Sequence, residues 1–336
     1  MAPHHATLVA VSAAVIALSS ALLLGGPAGA ANTAKPLTVA QIQAAKPSTL
    51  YPGGLAVHPD TKAASVYAGL VKAKKTTEAA AIKKISSQPV ALWLGDWYSD
   101  AQLKTVVAKS LASAEKAKRT PTFVTYAIPD RDCGDYSAGG LTADEYGTWN
   151  QTIATALKGH RATVIVEPDA LAMISNCPGT ASVRLPLIKA AVTDFAAAGV
   201  TTYIDAGNSH WVDPAVMADR LEQAGIAEAR GFSTNVSNFY PTADEKAYGL
   251  TVSKLTGGSH FVIDTSRNGQ GWKGTWCNPT GAGLGVTPRV ASGRSKVDAL
   301  LWIKTPGASD GTCNGGPTAG TWWQKYALAL VKQRAK

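Results

Sequence analysis

The sequence is poor in the features that mark several functional classes. It has no C-x-x-C pair, and its four cysteines, Cys133, Cys177, Cys277 and Cys313, lie far apart. The usual zinc and thioredoxin-like signatures are therefore missing. No G-x-G-x-x-G or Walker pattern follows any apolar run, which argues against a nucleotide-binding sheet. The first thirty residues contain no Asp, Glu, Lys or Arg. Beyond them no stretch approaches the ~20 apolar residues that a spanning helix requires. No internal repeat and no Pro/Thr/Ser-rich linker divides the chain, so residues 51–336 read as one domain.

What is present suffices for one large core. The chain has 336 residues, 46% of them hydrophobic and 16% charged, which fits one large α/β barrel domain or two small domains. Leu8 to Leu24 is an apolar run followed by Gly25-Gly26-Pro27 and Ala28-Gly29-Ala30. Apolar core, breaker and A-x-A spacing predict a secretory signal peptide over residues 1–31. His4 and His5 stand where Lys or Arg is usual, and the alternative is an uncleaved membrane anchor. An even number of cysteines in an exported chain points to two disulfides, with three connectivities open.

The net charge of +9 is unevenly placed. Between Asn32 and Ser86 eight Lys face only Asp60 and Glu78, a net of +6. The surplus thus sits on an Ala/Lys-rich lead-in whose first part spans residues 32–50. A solvated helix face or loose tether explains it, with adhesion to an anionic cell envelope as the sharper reading. Nucleic acid is not an expected partner, and the chain is expected to be a monomer.

After the lead-in, short apolar runs alternate with Ala-rich helical segments. The runs are Val90–Leu94, Thr122–Ala127, Thr163–Val166, Thr201–Ile204, Gly231–Val236, His260–Ile263 and Ala299–Lys304. Near-continuous apolar strands suit a parallel sheet covered on both faces. Segments such as Ala101–Lys118, Asp144–Leu157, Val183–Ala198 and Pro214–Ala224 suit crossover helices. Seven β-then-α units predict a parallel (β/α) barrel rather than a doubly wound open sheet.

The ends of these runs carry the chemistry. They lead into Pro129-Asp130-Arg131-Asp132, Glu167-Pro168-Asp169, Asp205-Ala206-Gly207-Asn208, Asp264-Thr265-Ser266-Arg267 and Ser309-Asp310-Gly311. A parallel barrel gathers all such ends on one rim. One Asp after a strand is often only an N-cap, but a cluster on most of the strands is harder to explain that way. Glycoside hydrolysis needs one protonated carboxyl and one charged one, and crowding raises one pKa while leaving another low. A metal site is the competing use, but His210 and His260 do not fall in a ligand spacing. Trp93, Trp97, Trp211, Trp272 and Trp276 lie in or beside these motifs, and flat indoles stack on pyranose faces. Trp149, in a helical stretch, is expected in the core.

Taken in order, several motifs resemble those of glycoside hydrolase family 6. They are Tyr126-Ala-Ile-Pro-Asp-Arg-Asp132-Cys133-Gly, Val-Ile-Val-Glu-Pro-Asp169, Tyr-Ile-Asp205-Ala-Gly, Ile-Asp-Thr-Ser-Arg267-Asn-Gly, Trp276-Cys277-Asn-Pro and Leu-Trp-Ile-Lys304-x-Pro-Gly. Ala56-Val57-His58-Pro59 resembles the family's opening segment. The resemblance covers nearly all of the chain from about Tyr51. It implies a distorted seven-stranded barrel that cleaves β-1,4-glucan with inversion, using no cofactor and no metal.

Carried over position by position, Asp169 resembles the general acid and Asp132 the neighbour that keeps it protonated and relays a proton. Asp310 resembles the base and Asp205 an electrostatic support. Tyr126 resembles the residue pressing on the distorted sugar at subsite −1. Trp93, Trp211 and Trp276 resemble subsite platforms, Lys304 a hydroxyl-binding partner, and Asn238 a further substrate-binding position. The family's cysteine pairing implies Cys133–Cys177 and Cys277–Cys313. Two positions depart from the family: Ala308 stands where Glu is usual, and Asn208 where His is usual. Weaker or shifted substrate binding is the expected consequence. Short segments between motifs, Gly134–Gly140 and Thr305–Gly316, predict an open cleft and endo cleavage. The alternatives are a cellobiohydrolase or a cell-surface glucan-binding protein without turnover.

Overall fold

The computed structural model describes residues 35–335 apart from 178 and 294. The signal peptide expected over residues 1–31 lies outside the described residues. Among the described residues, four helices precede the sheet: α1 (Val39–Ala44), α2 (Pro47–Leu50), α3 (Lys62–Lys72) and α4 (Thr76–Ser86). Strand and helix then alternate as β1 (Leu92–Gly95), α5 (Asp100–Ala117), β2 (Thr122–Tyr126), α6 (Ala143–Leu157), β3 (Thr163–Val166) and α7 (Ala181–Ala197). They continue as β4 (Thr201–Asp205), α8 (Pro214–Gln223), β5 (Gly231–Thr234), α9 (Thr242–Leu255) and β6 (His260–Asp264). The last elements are β7 (Arg289–Val290), β8 (Val297–Leu301) and α10 (Gln324–Lys332).

Strands β1 to β6 and β8 pair in that order, all parallel. The expectation of seven strands needs correction, because the sheet has eight. The added strand, β7, pairs antiparallel with β8. It is two residues long and partly exposed, so it carries no apolar run for sequence reading to detect. The sheet curls into a half-barrel. A parallel bridge from Val90, before β1, to Trp302, after β8, joins the first and last parallel strands, and the Ala91 N–H donates to the Trp302 carbonyl at 2.9 Å.

The period-two alternation of strand side chains sorts two cores. On the convex face Phe123, Val164, Ile204, Phe232 and Phe261 pack against helices α5–α9, together with Leu103, Ile153, Phe195 and Met217. Trp149 of α6 is buried there, as expected. On the concave face Val124, Ile165, Tyr203, Val262 and Ala299 meet one another and Ile42, Leu50 and Tyr51 from the lead-in. One step further along the same strands, the alternation aims Tyr126 and Asp205 inward at the rim.

Local signals fix the helix ends. Ser99 with Gln102 opens α5 and Thr142 with Glu145 opens α6, each pair satisfying two free backbone donors. The Asp213 carboxylate accepts from Ala215 N–H and is followed by Pro214 at the first helical position of α8. The Lys-rich lead-in folds as α3 and α4. Leu70, Ile82 and Ile85 pack inward with Leu330 of α10, while Lys72, Lys74, Lys75, Lys83 and Lys84 are exposed. No described helix is long and apolar enough to cross a membrane.

A buried ion cluster ties the lead-in to the sheet at the end where the strands begin. Arg230 Nε and Nη2 donate to the two Asp298 oxygens at 2.7 and 2.9 Å. Tyr203 Oη donates to Oδ2 at 2.7 Å, and His260 Nδ1 lies 2.8 Å from Oδ1. Arg230 Nη1 also donates to the Ile42 carbonyl at 2.9 Å and to that of Gln43. Burial opposes charge on Asp298, but bonds from Arg230 and His260 outweigh it and hold the carboxyl below its ordinary range. Breaking such a pair strands a buried charge. Asp298→Ala should therefore cost about 3–5 kcal/mol in urea unfolding. A loss below about 1 kcal/mol would contradict this role for the cluster.

Candidate active site

The rim where the parallel strands end surrounds a cleft of about 1260 Å³. Asp132, Asp169 and Asp310 line it, as do Trp93, Tyr126, Trp211, Asn238, Trp276 and Lys304. Asp205 is fully buried behind this wall. Its Oδ2 accepts from Asp169 N–H at 2.9 Å and Gly207 N–H at 3.0 Å, and Oδ1 from Ser233 Oγ at 3.0 Å. Parallel pairing thus brings every site residue expected from the sequence into one place.

The loops after β2 and β3 hold their carboxylates through unusual backbone. Asp130, Asp132, Cys133, Glu167 and Asp169 all have positive φ, between 48° and 71°. Non-glycine residues in that region cost about 1–3 kcal/mol each and persist only where their surroundings over-determine them. Here the surroundings do. The disulfide Cys133–Cys177 joins the loops, and Arg184, buried, donates to the carbonyls of Ala170 and Asp130 at 3.1 and 2.6 Å. Glu167 caps the Ala127 and Ile128 N–H groups at 3.1 Å. The second expected disulfide, Cys277–Cys313, braces the loops after β6 and β8.

The three cleft carboxylates have unequal company. Asp310 Oδ2 accepts from Arg267 Nη1 at 2.8 Å and Asn278 N–H at 3.0 Å, and Lys304 Nζ lies 3.0 Å from Oδ1. Burial alone would raise its pKa, but the Arg267 and Lys304 charges overcome burial and hold the carboxyl below the usual range. Among the described residues no cation forms an ion pair with Asp169. Burial pushes its pKa well up, and the charges of Asp205, Asp132 and Asp310 push further, against the opposing charge of Lys304. Asp205 itself is raised to about 7, chiefly by burial. Asp132 Oδ2 accepts from both the N–H and Oγ of Ser137, at 2.8 and 2.9 Å. The cleft thus sets a carboxyl biased towards its protonated form beside one biased towards its ionised form.

Aromatic side chains frame these groups. Trp93 meets Tyr126 edge-on at 5.1 Å and donates from Nε1 to the Ile303 carbonyl at 2.8 Å. Trp211 is anchored by Nε1 donating to Asn176 Oδ1 at 3.0 Å. Trp276 is 42% exposed and lies 6.0 Å from Tyr136, which is 44% exposed. Asn238 uses its Nδ2 locally, on the Val236 carbonyl at 3.1 Å. Ala308 lines the cleft beside Lys304 and Thr305, and Asn208 is buried with Oδ1 accepting from His210 N–H at 3.0 Å.

Several contributors carried no assigned role from sequence. Arg131 donates from Nη1 to Asp96 Oδ1 and to the Tyr126 carbonyl, both at 2.8 Å, and stacks over the Tyr126 ring at 4.6 Å. Asp96 also accepts from Gly140 N–H at 2.9 Å, closing the loop that presents Asp132. It follows β1 directly, so the rule of an acid after a strand would have found it. Buried Asp264 accepts from the N–H groups of Ser237, Ser266 and Lys304 at 2.8–3.1 Å. It holds rim loops in place and does not face the cleft. Ser137 and Tyr136 carry no pattern that sequence could reveal. Among the described residues no group of three His, Cys, Asp or Glu comes together as a metal site.

A carboxylate cleft walled by indoles on a parallel α/β sheet defines a carbohydrate-active site. Residues 54–334 match Glycosyl hydrolases family 6, and the chain belongs to that family. Among its relatives, Endoglucanase A of Cellulomonas fimi is 45% identical over 261 residues, 78% of this chain and 58% of that protein's length. The chain thus spans little more than half of that relative. Endoglucanase 1 of Streptomyces halstedii is 39% identical over 75% of this chain and 81% of its own. The solved endoglucanase Cel6 of Mycobacterium tuberculosis, in complex with methyl-cellobiosyl-4-deoxy-4-thio-β-D-cellobioside, superposes with a TM-score of 0.78. It is 39% identical, over 87% of this chain and 99% of the solved one.

The charge balance at Asp310 is open to test. Arg267→Met removes the closer of its two cations, so the Asp310 carboxyl should titrate about 1–3 pH units higher. Carbon-13 NMR of labelled aspartate reads this directly, and an unmoved Asp310 signal would contradict the balance described.

Proposed function

We propose that the chain is an exported endo-β-1,4-glucanase acting with inversion, with Asp169 as its general acid. The observation carrying this reading is the split in one cleft between an uncompensated carboxyl and a carboxylate paired with two cations. Inverting hydrolysis needs that division, since one group protonates the leaving oxygen while another accepts a proton from water on the opposite face. Asp169 gives its proton to the glycosidic oxygen. Asp132 keeps that proton in place by its charge and relays its replacement. Asp310 is the base. Its two cations lower its basicity, so it takes a proton from water only as positive charge develops on the sugar carbon. Asp205, beneath Asp169, fixes that loop by accepting from the Asp169 N–H. Trp93, Tyr126, Trp211, Asn238, Trp276 and Lys304 bind glucosyl units and their hydroxyls.

The finer parts of the reading rest on separate supports. Relatives named as endoglucanases and the short segments 134–140 and 305–316 support endo cleavage. The two disulfides and the apolar stretch near the start of the sequence support export. The bridge from Val90 to Trp302 supports treating residues 51–336 as a catalytic domain on a distorted barrel. The exposed Lys72, Lys74, Lys75, Lys83 and Lys84 support a contact with an anionic envelope.

Carboxymethylcellulose tests the reading. Wild type should lower viscosity well before reducing ends accumulate, as internal cuts do. Asp169→Asn should lower kcat by about 10²–10⁴-fold. No sugar release by wild type would overturn the enzyme reading, and release without early loss of viscosity would overturn the endo mode. The pH profile tests the acid separately. Asp132→Asn removes a negative charge that raises the Asp169 pKa, so the basic limb of kcat should move to lower pH. A basic limb that stays in place would remove Asp132 from that role.

A further inference from the structure

The cleft contains an aromatic ladder that the roles above leave unused. His210, Tyr240 and Trp272 come from the loops after β4, β5 and β6, and all three line the cleft. The His210 and Tyr240 rings lie 4.3 Å apart with planes 20° from parallel. The Tyr240 and Trp272 rings lie 4.9 Å apart and within 6° of parallel. Trp272 remains 39% exposed. A large indole backed on one side by two stacked rings, yet left open to the cleft, is an unfilled stacking surface.

The backbone beneath the ladder is fixed. Tyr240 N–H donates to Asn235 Oδ1 at 3.2 Å, and its carbonyl accepts from Asn268 Nδ2 at 3.0 Å. Ser209 N–H donates to the buried Glu245 carboxyl at 2.9 Å, and Tyr248 Oη donates to the Ala206 carbonyl at 3.1 Å. Glu245 and Tyr248, both on α9, therefore hold the loop that carries His210 and Trp211. A ring already immobilised binds a ligand without a further ordering cost. Its position also selects the ligand. His210 is the chain neighbour of Trp211, so the ladder extends the cleft wall on that flank, on the arc of the sheet remote from β1. A β-linked glucosyl unit has equatorial substituents and a flat face of C–H groups, the complement of an indole face.

We infer that Trp272, backed by Tyr240 and His210, is an additional stacking subsite for a glucosyl unit of a chain running past Trp211. The inference rests on the glucanase reading and specifies how the cleft senses chain length. Its contribution appears only for substrates long enough to reach the ladder from the acid.

Calorimetric titration of the silenced Asp169→Asn protein with β-1,4-linked oligosaccharides of three to six glucosyl units tests this without turnover. Adding Trp272→Ala should weaken binding of the six-unit ligand by about 3–10-fold and leave the three-unit ligand unaffected. Trp272→Phe should restore most of the loss, and thermal melts of all three proteins should agree to within a few degrees. Unchanged six-unit binding in Trp272→Ala overturns the subsite while leaving the glucanase reading intact. Equal weakening for every length makes the ladder a structural brace and also overturns the subsite. If Asp169→Asn binds none of these oligosaccharides, the glucanase reading fails and the subsite fails with it.

Discussion

The site depends on an unequal distribution of positive charge among neighbouring carboxylates. Arg267 and Lys304 both pair with Asp310, and among the described residues no cation pairs with Asp169. Close opposite charges stabilise the ionised form of a carboxyl, and close like charges with burial stabilise the protonated form. One pocket therefore biases neighbouring carboxyls towards opposite protonation states. The remaining architecture serves to keep these charges at fixed separations. Arg267 is fully buried, so its position is set by packing and by its bond to the Ser237 carbonyl as well as by Asp310.

The parallel sheet makes the arrangement possible. The crossovers return the chain in the same direction for β1 to β6 and for β8, so the ends of those seven strands share one rim. The rim loops then depart from regular backbone, with five non-glycine residues of the β2 and β3 loops in the left-handed region. That strain is offset by the Cys133–Cys177 bridge, by Arg184 and by Glu167. At the opposite end of the strands, Arg230 and Asp298 fasten α1 across the concave face. Rigid framework and strained rim are thus separated along the length of each strand.

Much of this was legible in the sequence. The apolar runs located all seven parallel strands to within a few residues, because strands buried on both faces cannot hide their composition. The acids after those strands located Asp132, Asp169, Asp205 and Asp310. The cysteine pairing came from resemblance, since spacing alone left three possibilities. Strand β7 escaped because two half-exposed residues leave no pattern. Asp96, directly after β1, lay within reach of the rule of an acid after a strand, whereas Arg131 and Ser137 escaped for another reason. Their roles come from contacts across loops, such as Ser137 on Asp132 and Arg131 on Asp96, and no periodicity encodes such contacts. The aromatic ladder was visible only in part, because Trp272 lies 62 positions after His210 in the chain.

Neutron diffraction from deuterium-exchanged crystals near neutral pH tests the central claim most directly. Nuclear density is expected for a deuteron on the Asp169 carboxyl and none on Asp310. A deuteron on Asp310, or an Asp169 carboxyl without one, would contradict the unequal compensation on which the site is built.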